Sequence, residues 1–183
     1  AAAAAIHAAN LGVDWTDIIA PLENFGGVDR RLQCLGEFAC KDGSAIVYDD
    51  YGHHPTEIEL TLNALRAAEL PKRLICVFQP HQHSRTRFLL DSFAQSFSSA
   101  DVVIVPHIYF VRDSIAEQHR VSAQDLVDRL TDLGASAKHI NDFDAIVDHL
   151  HSIVRDGDLI VIMGAGPVTT IGHRLTESLS RVR

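Results

Sequence analysis

Two dense polar clusters, each following an apolar run, hold residue types suited to chemistry on an anion. The first is Asp49-Asp50-Tyr51-Gly52-His53-His54, and the second is His81-Gln82-His83-Ser84-Arg85-Thr86-Arg87. Arg85 and Arg87 are predicted to open a helix after a strand ending at Phe78. A guanidinium beside the orphan N–H groups of a first helical turn is a natural carboxylate or phosphate receptor, and Ser84 and Thr86 add donors there. A solvated surface pair is the plainer account of the two arginines. A carboxylate at a strand end can hold a ribose hydroxyl or a metal-bound water, and a histidine beside it can bind or orient an anionic ligand. Capping of a helix that starts near Pro55 would explain Asp49 or Asp50 alone. It would not explain two acids, a tyrosine and two histidines together.

His81-x-His83 with His53-His54 has a spacing that zinc could use. Two arginines follow at once and their charge opposes a cation, so the reading keeps metal out of this site. Gly164-Ala165-Gly166 would let backbone approach a ligand closely, and a simple tight turn explains it equally well. The chain has neither the GxxxxGK[ST] loop that cradles phosphates nor a GxSxG nucleophile elbow. His107, His119, His139, His149, His151 and His173 fall on predicted helices and loops and read as surface or structural.

The elements that must position these clusters alternate in type. Leu32–Ala39 and Ala45–Tyr48 flank Lys41-Asp42-Gly43, where Asp-Gly is a strong hairpin signal. Pro55 suits a helix start, and Ile58, Leu62 and Leu65 give that helix an apolar face. Leu74–Phe78, Asp101–Val105 and Leu159–Met163 are short apolar runs of the kind that form parallel strands covered on both sides. Ala135–Ile140 is a weaker strand. Helices are predicted over 87–97, from the Ser122 cap to Leu133, over 143–154 and after Gly166 through about Leu179. The fold class expected is α/β: a Rossmann-like, doubly wound, mostly parallel sheet with an N-terminal β-hairpin, preceded by a helical remnant of another domain. Ala1–Ala9 forms that remnant with a short helix capped by Asp14, and its opening without an N-cap suggests a cut from a longer protein. Asn24-Phe25-Gly26-Gly27 is a hinge-like turn, with the boundary between Gly27 and Gln33. In such a sheet both polar clusters lie on the rim at the carboxyl ends of the strands, where ligands bind.

At 183 residues with 46% hydrophobic and 22% charged content, the chain holds one ordinary domain, or one plus a piece of another. A net charge of −8 argues against a general nucleic-acid binder. No apolar run approaches the roughly 20 residues of a membrane span, and Ala1–Ala5 lacks the basic region of a signal peptide. Cys34, Cys40 and Cys76 are odd in number without CxxC spacing, as expected of reduced residues in a cytoplasmic protein.

Phe25–Gln33 (FGGVDRRLQ), Asp49–Glu57 (DDYGHHPTE), Phe78–Arg87 (FQPHQHSRTR) and Gly157–Gly166 (GDLIVIMGAG) resemble, in order, the carboxyl-terminal part of the Mur ligases. Within that family the likeness is to the branch that joins L-alanine to UDP-N-acetylmuramate. The resemblance implies that residues 1–30 are the tail of a central ATP-binding domain and residues 31–183 the Mur ligase carboxyl-terminal domain. It implies ATP-dependent amide formation: the sugar carboxylate attacks the γ-phosphate with release of ADP, and the alanine amine displaces phosphate from the resulting acyl phosphate. By the same likeness Arg31 and Asp50 contact the nucleotide, Arg31 at its phosphates and Asp50 at its ribose. Tyr51, His53, His81 and Arg85 face the acyl-acceptor site. The partners implied are UDP-N-acetylmuramate, L-alanine and the enzyme's own amino-terminal and central domains. ATP and Mg²⁺ are held mainly by the central domain, so the fragment alone is expected to be inactive. Gln82 stands where the family usually has a cation, and Pro106–Ser114 lacks the acidic ending expected there. A recycling ligase that attaches a tripeptide shares an HHPT-like segment. A non-catalytic Rossmann-like binding domain and a metal-dependent hydrolase are further alternatives.

Overall fold

The computed structural model describes residues 2–180. Ala1, where the first helix was expected to begin, and residues 181–183, at the end of the second expected domain, lie outside them. In chain order the elements are α1 (Ala2–Asn10), α2 (Trp15–Glu23), β1 (Gln33–Cys40), β2 (Gly43–Asp50), α3 (Pro55–Glu69), β3 (Arg73–Phe78), α4 (His83–Phe88), α5 (Leu90–Gln95), β4 (Val102–Val105), α6 (Ile115–Gln118), α7 (Ala123–Asp132), β5 (Ala137–His139), α8 (Phe143–Ile153), β6 (Asp158–Met163) and α9 (Thr169–Ser180).

Strands form where apolar side chains are buried on both faces. Along β6, Leu159, Val161 and Met163 pack with α3, α5 and α7, while Ile160 and Ile162 pack with α8 and α9. In β3, Leu74, Cys76 and Phe78 face the first layer, and Ile75 and Val77 the second. This two-residue alternation under a continuous apolar run makes the sheet doubly wound. Its strand order is β1-β2-β6-β3-β4-β5, parallel throughout except for the antiparallel edge strand β1. The α/β class, the hairpin and the mostly parallel sheet follow the sequence reading.

The helix expected over 87–97 is two helices, α4 and α5, separated at Leu89. Leu89 N–H still donates to Arg85 O, and Leu89 O accepts from Phe93 N–H. A single non-helical residue leaves the amphipathic period of the flanking turns intact, so the pattern carries no mark of the break. The four-residue α6 is too short for any period to reveal.

Register fixes the working rim. Asp50 in β2 pairs with Met163 in β6, which pairs with Phe78 in β3. The three strands end level, so the two polar clusters flank the glycine turn that follows β6.

Candidate functional site at the carboxyl rim

Two adjacent acids at the end of β2 alternate in direction, and each meets different partners. Asp50 is buried; its Oδ2 accepts the Leu32 amide at 2.8 Å and its Oδ1 the Gly52 amide at 2.7 Å. Asp49 is fully buried; its Oδ2 accepts the Thr169 hydroxyl at 2.6 Å and pairs with Arg30 Nε at 3.3 Å. Neither acid caps α3. His54 does so, its Nδ1 accepting the Thr56 amide at 3.4 Å, while Glu57 reaches back to the amides of His53 and His54 at 2.9 and 3.1 Å. Burial would raise the Glu57 pKa, but these two N–H donors, with His53 and Arg31, bring it below the ordinary value.

A row of rings runs across the rim. Tyr51 meets His53 at 5.4 Å between centroids, His53 meets His81 at 5.6 Å, and His81 meets Tyr109 at 5.7 Å. Arg30 and Arg31 lie against the Tyr51 ring at 5.0 and 5.4 Å. Tyr51, His53 and His81 thus converge as the sequence led us to expect, and Arg85 joins them. Desolvation lowers the His81 pKa, and the neighbouring Arg85, His53 and Arg112 push it further the same way, against the opposing carboxylate of Asp113. That shift favours the neutral imidazole, and the His81 Nδ1 is buried without a hydrogen-bond partner. The Arg85 guanidinium makes no hydrogen bond or ion pair among the described residues. Arg31 is half-exposed, against the Tyr51 ring and with the Glu57 carboxylate at 3.8 Å.

Several expectations are corrected. The second cluster does not offer an open helix N-terminus: α4 begins at His83, and the Ser84 amide is taken by Asp113 Oδ2 at 3.0 Å. The other oxygen of Asp113, Oδ1, accepts the Ser114 amide. Arg87 is not part of a receptor, because Glu117 on α6 accepts from its Nε and Nη2 at 2.8 and 3.3 Å. Gln82 donates to the carbonyls of Val111 and Arg112 at 3.3 and 3.2 Å, so its amide fastens a loop. The four neighbouring histidines do not converge: His54 is a cap, and His83 lies against Phe110 at 6.0 Å. Among the described residues no group of three or more His, Cys, Asp or Glu is placed to hold a metal ion.

Sequence reasoning missed Arg30, Gln79 and Tyr109. Gln79 is fully buried, its Nε2 beside His107 Nε2 at 3.2 Å and donating to His107 O at 3.3 Å. A polar residue directly after a buried strand was the available signal. His107 itself is structural, as expected: its Nδ1 lies 2.9 Å from Asn141 O and its ring stacks on Phe143.

Residues 30–166 match the family model described as the glutamate ligase domain of Mur ligases. The chain belongs to the Mur ligase family. Over 172 residues this Mur ligase chain is 41% identical to the UDP-N-acetylmuramate–L-alanine ligase of Clostridium novyi, covering 93% of the chain and 36% of that protein. It spans about a third of the length of the curated relatives it matches. The crystal structure of the UDP-N-acetylmuramate-alanine ligase MurC from Thermotoga maritima superposes with a TM-score of 0.74 at 23% identity, over 97% of this chain and 36% of that one. A murein peptide ligase from Psychrobacter arcticus follows with a TM-score of 0.65 at 27% identity, over 96% of this chain and 35% of that one. The fold of this Mur ligase chain is shared with those structures. Among the described residues no helix is long and apolar enough to cross a membrane.

Proposed function

We propose that this chain is the carboxyl-terminal part of a cytoplasmic ATP-dependent ligase that joins L-alanine to UDP-N-acetylmuramate for peptidoglycan precursor synthesis. The observation that carries this reading is the 41% identity with the Clostridium novyi alanine ligase over nearly the whole chain. Residues 1–30 are the tail of the central ATP-binding domain, and residues 31–183 form the domain that closes over it. The amino-terminal and central domains are its partners, and Mg²⁺ travels with the ATP phosphates held mainly by the central domain.

The residues present fit one edge of a nucleotide. Arg31 is an exposed donor for phosphate oxygens, and each Asp50 oxygen, with one backbone N–H bound, keeps a lone pair for a ribose hydroxyl. On the other side of Tyr51, Arg85 pairs with the carboxylate of the incoming amino acid. His81, His53 and Tyr51 line the path of its amine. Neutral imidazole matters there because the attacking amine must shed its proton, and a second cation would oppose bringing it in. Closure of the domain keeps water from the acyl phosphate formed on the sugar carboxylate.

The test is phosphate release by the full-length protein with ATP, Mg²⁺ and UDP-N-acetylmuramate, comparing L-alanine with the tripeptide. Release with L-alanine, reduced about 100-fold in kcat/KM by Arg85→Ala, is the expected result; such a drop corresponds to roughly 2.7 kcal/mol of lost transition-state stabilisation. Release with the tripeptide only would move the assignment to the recycling reaction, and release with neither would refute the ligase. This chain alone is expected to give no turnover.

A further inference from the structure

Arg30 and Arg31 are neighbours in sequence with opposite fates. Arg31 reaches out half-exposed, whereas Arg30 turns back into the rim and its side chain binds two separate segments. Its Nε pairs with Asp49 at 3.3 Å, and its Nη2 donates to Gly164 O at 2.5 Å and Gly166 O at 3.3 Å. Its backbone is equally engaged: its amide donates to Gln33 Oε1 at 2.7 Å, and its carbonyl accepts the Tyr51 amide at 2.7 Å. Arg30 and Leu32 both adopt left-handed backbone, with φ of 58° and 47°. Side chains resist that conformation unless surrounding contacts over-determine it. The contacts here do so, since the Leu32 amide is held by Asp50 Oδ2 at 2.8 Å. Asp49 is fully buried, its Oδ1 has no partner, and Arg30 is the cation at its other oxygen.

We infer that Arg30 is a positioning residue: its pair with buried Asp49 and its bonds to the Gly164–Gly166 turn fix Arg31 and Asp50 in one rigid arrangement on the rim. The inference rests on the reading above, in which Arg31 and Asp50 meet the nucleotide. Two consequences follow from the geometry. Backbone rotation during domain closure has to occur on the amino-terminal side of Arg30, where Gly27 has φ +93° and open space where a Cβ would stand. Arg31 then moves with the sheet and reaches the phosphates only when the domain closes. A guanidinium is required for this fastening, because a lysine ammonium cannot span the carboxylate and two carbonyls in one plane.

The experiment uses the full-length ligase with ATP and L-alanine varied in turn. Arg30→Ala alone would leave Asp49 buried without its cation, so the variants are Arg30→Lys and the pair Arg30→Ala/Asp49→Asn, with Arg31→Ala alongside. The expected result for both Arg30 variants is a KM for ATP raised at least tenfold and a KM for L-alanine within twofold of the parent. Hydrogen exchange at the Leu32 and Tyr51 amides should accelerate at least tenfold in the same variants, with the melting temperature nearly unchanged. A purely structural role would lower kcat for both substrates together and leave the two KM values alone; that result would overturn the inference. Unchanged ATP KM in the Arg30 variants, with Arg31→Ala raising it, would overturn the inference while leaving the nucleotide reading intact. Unchanged ATP KM in Arg31→Ala would refute the nucleotide reading, and the positioning role with it.

Discussion

Gly166→Ala tests how tightly the glycine turn is seated on the rim. Gly166 does not need unusual backbone angles, so the effect of a methyl group is steric. A Cβ there would lie 2.5 Å from Gln79 Oε1 and 3.1 Å from the Tyr109 ring. The far end of a side chain usually swings away from such a clash, but Gln79 is fully buried and held to His107 on its other side. Overpacking of this kind costs about 1–3 kcal/mol. Displacing the amide from His107 forfeits one or two hydrogen bonds at about 1 kcal/mol each. The sum is roughly 2–5 kcal/mol, which for a domain of this size lowers the melting temperature by roughly 4–20 °C. Thermal unfolding followed by circular dichroism measures it. Because the cost is assigned to one atom, a double-mutant cycle sharpens the test. Gln79→Ala removes the clashing Oε1, so Gly166→Ala in that background should cost at least about 1 kcal/mol less than in the parent. A melting temperature within 2 °C of the parent, or additive effects in the cycle, would refute the reasoning.

Glu57→Ala should destabilise the domain by about 1 kcal/mol, because it leaves the His53 and His54 amides without their acceptor at the start of α3; the figure allows for partial exposure of the carboxylate, and denaturant unfolding checks it. Stability should also fall in acid in two steps. Desolvation leads in lowering the His81, His83 and His149 pKa values below their ordinary 6.5, so the unfolded chain binds more protons just below that pH and stability declines as pH falls through 6.5. A second decline follows below the ordinary carboxylate range, where Glu57, Asp101 and Asp113 lose N–H and guanidinium partners that outweigh their desolvation. Urea midpoints measured from pH 8 to pH 3 should show both, and a midpoint that does not change between pH 7 and pH 5 would contradict the first.

The fold was legible because its signals are long and redundant. β3, β4 and β6 announce themselves as apolar runs that only two-sided burial explains, and Pro55 and Ser122 mark helix starts that the structure keeps. Strand-end placement put both polar clusters on one rim, and the family likeness singled out Tyr51, His53 and His81 within them. What escaped was partner choice. Arg30, Arg85 and Arg87 are the same residue type in polar surroundings, yet one fastens a turn, one is unpaired and one is tied to Glu117. Nothing local distinguishes them, since each fate is set by a carboxylate or carbonyl at least 19 residues away or by the lack of one. The partner of Asp113 escaped for the same reason: it is the Ser84 amide, 29 residues earlier.

The strand order has a bearing on how the chain reaches this state. β6 is the last strand made, yet it lies between β2 and β3 and pairs with both. Until residues 158–163 leave the ribosome, the hairpin β1-β2 and the trio β3-β4-β5 have no strand in common, and each exposes an unpaired edge. Pairing Ile46 with Leu159 closes a loop of more than a hundred residues, a separation that slows folding through its entropy. The sheet therefore completes late and in one step from its middle, and a chain that stops short of Met163 is left with two half-sheets prone to aggregate rather than a smaller version of the domain.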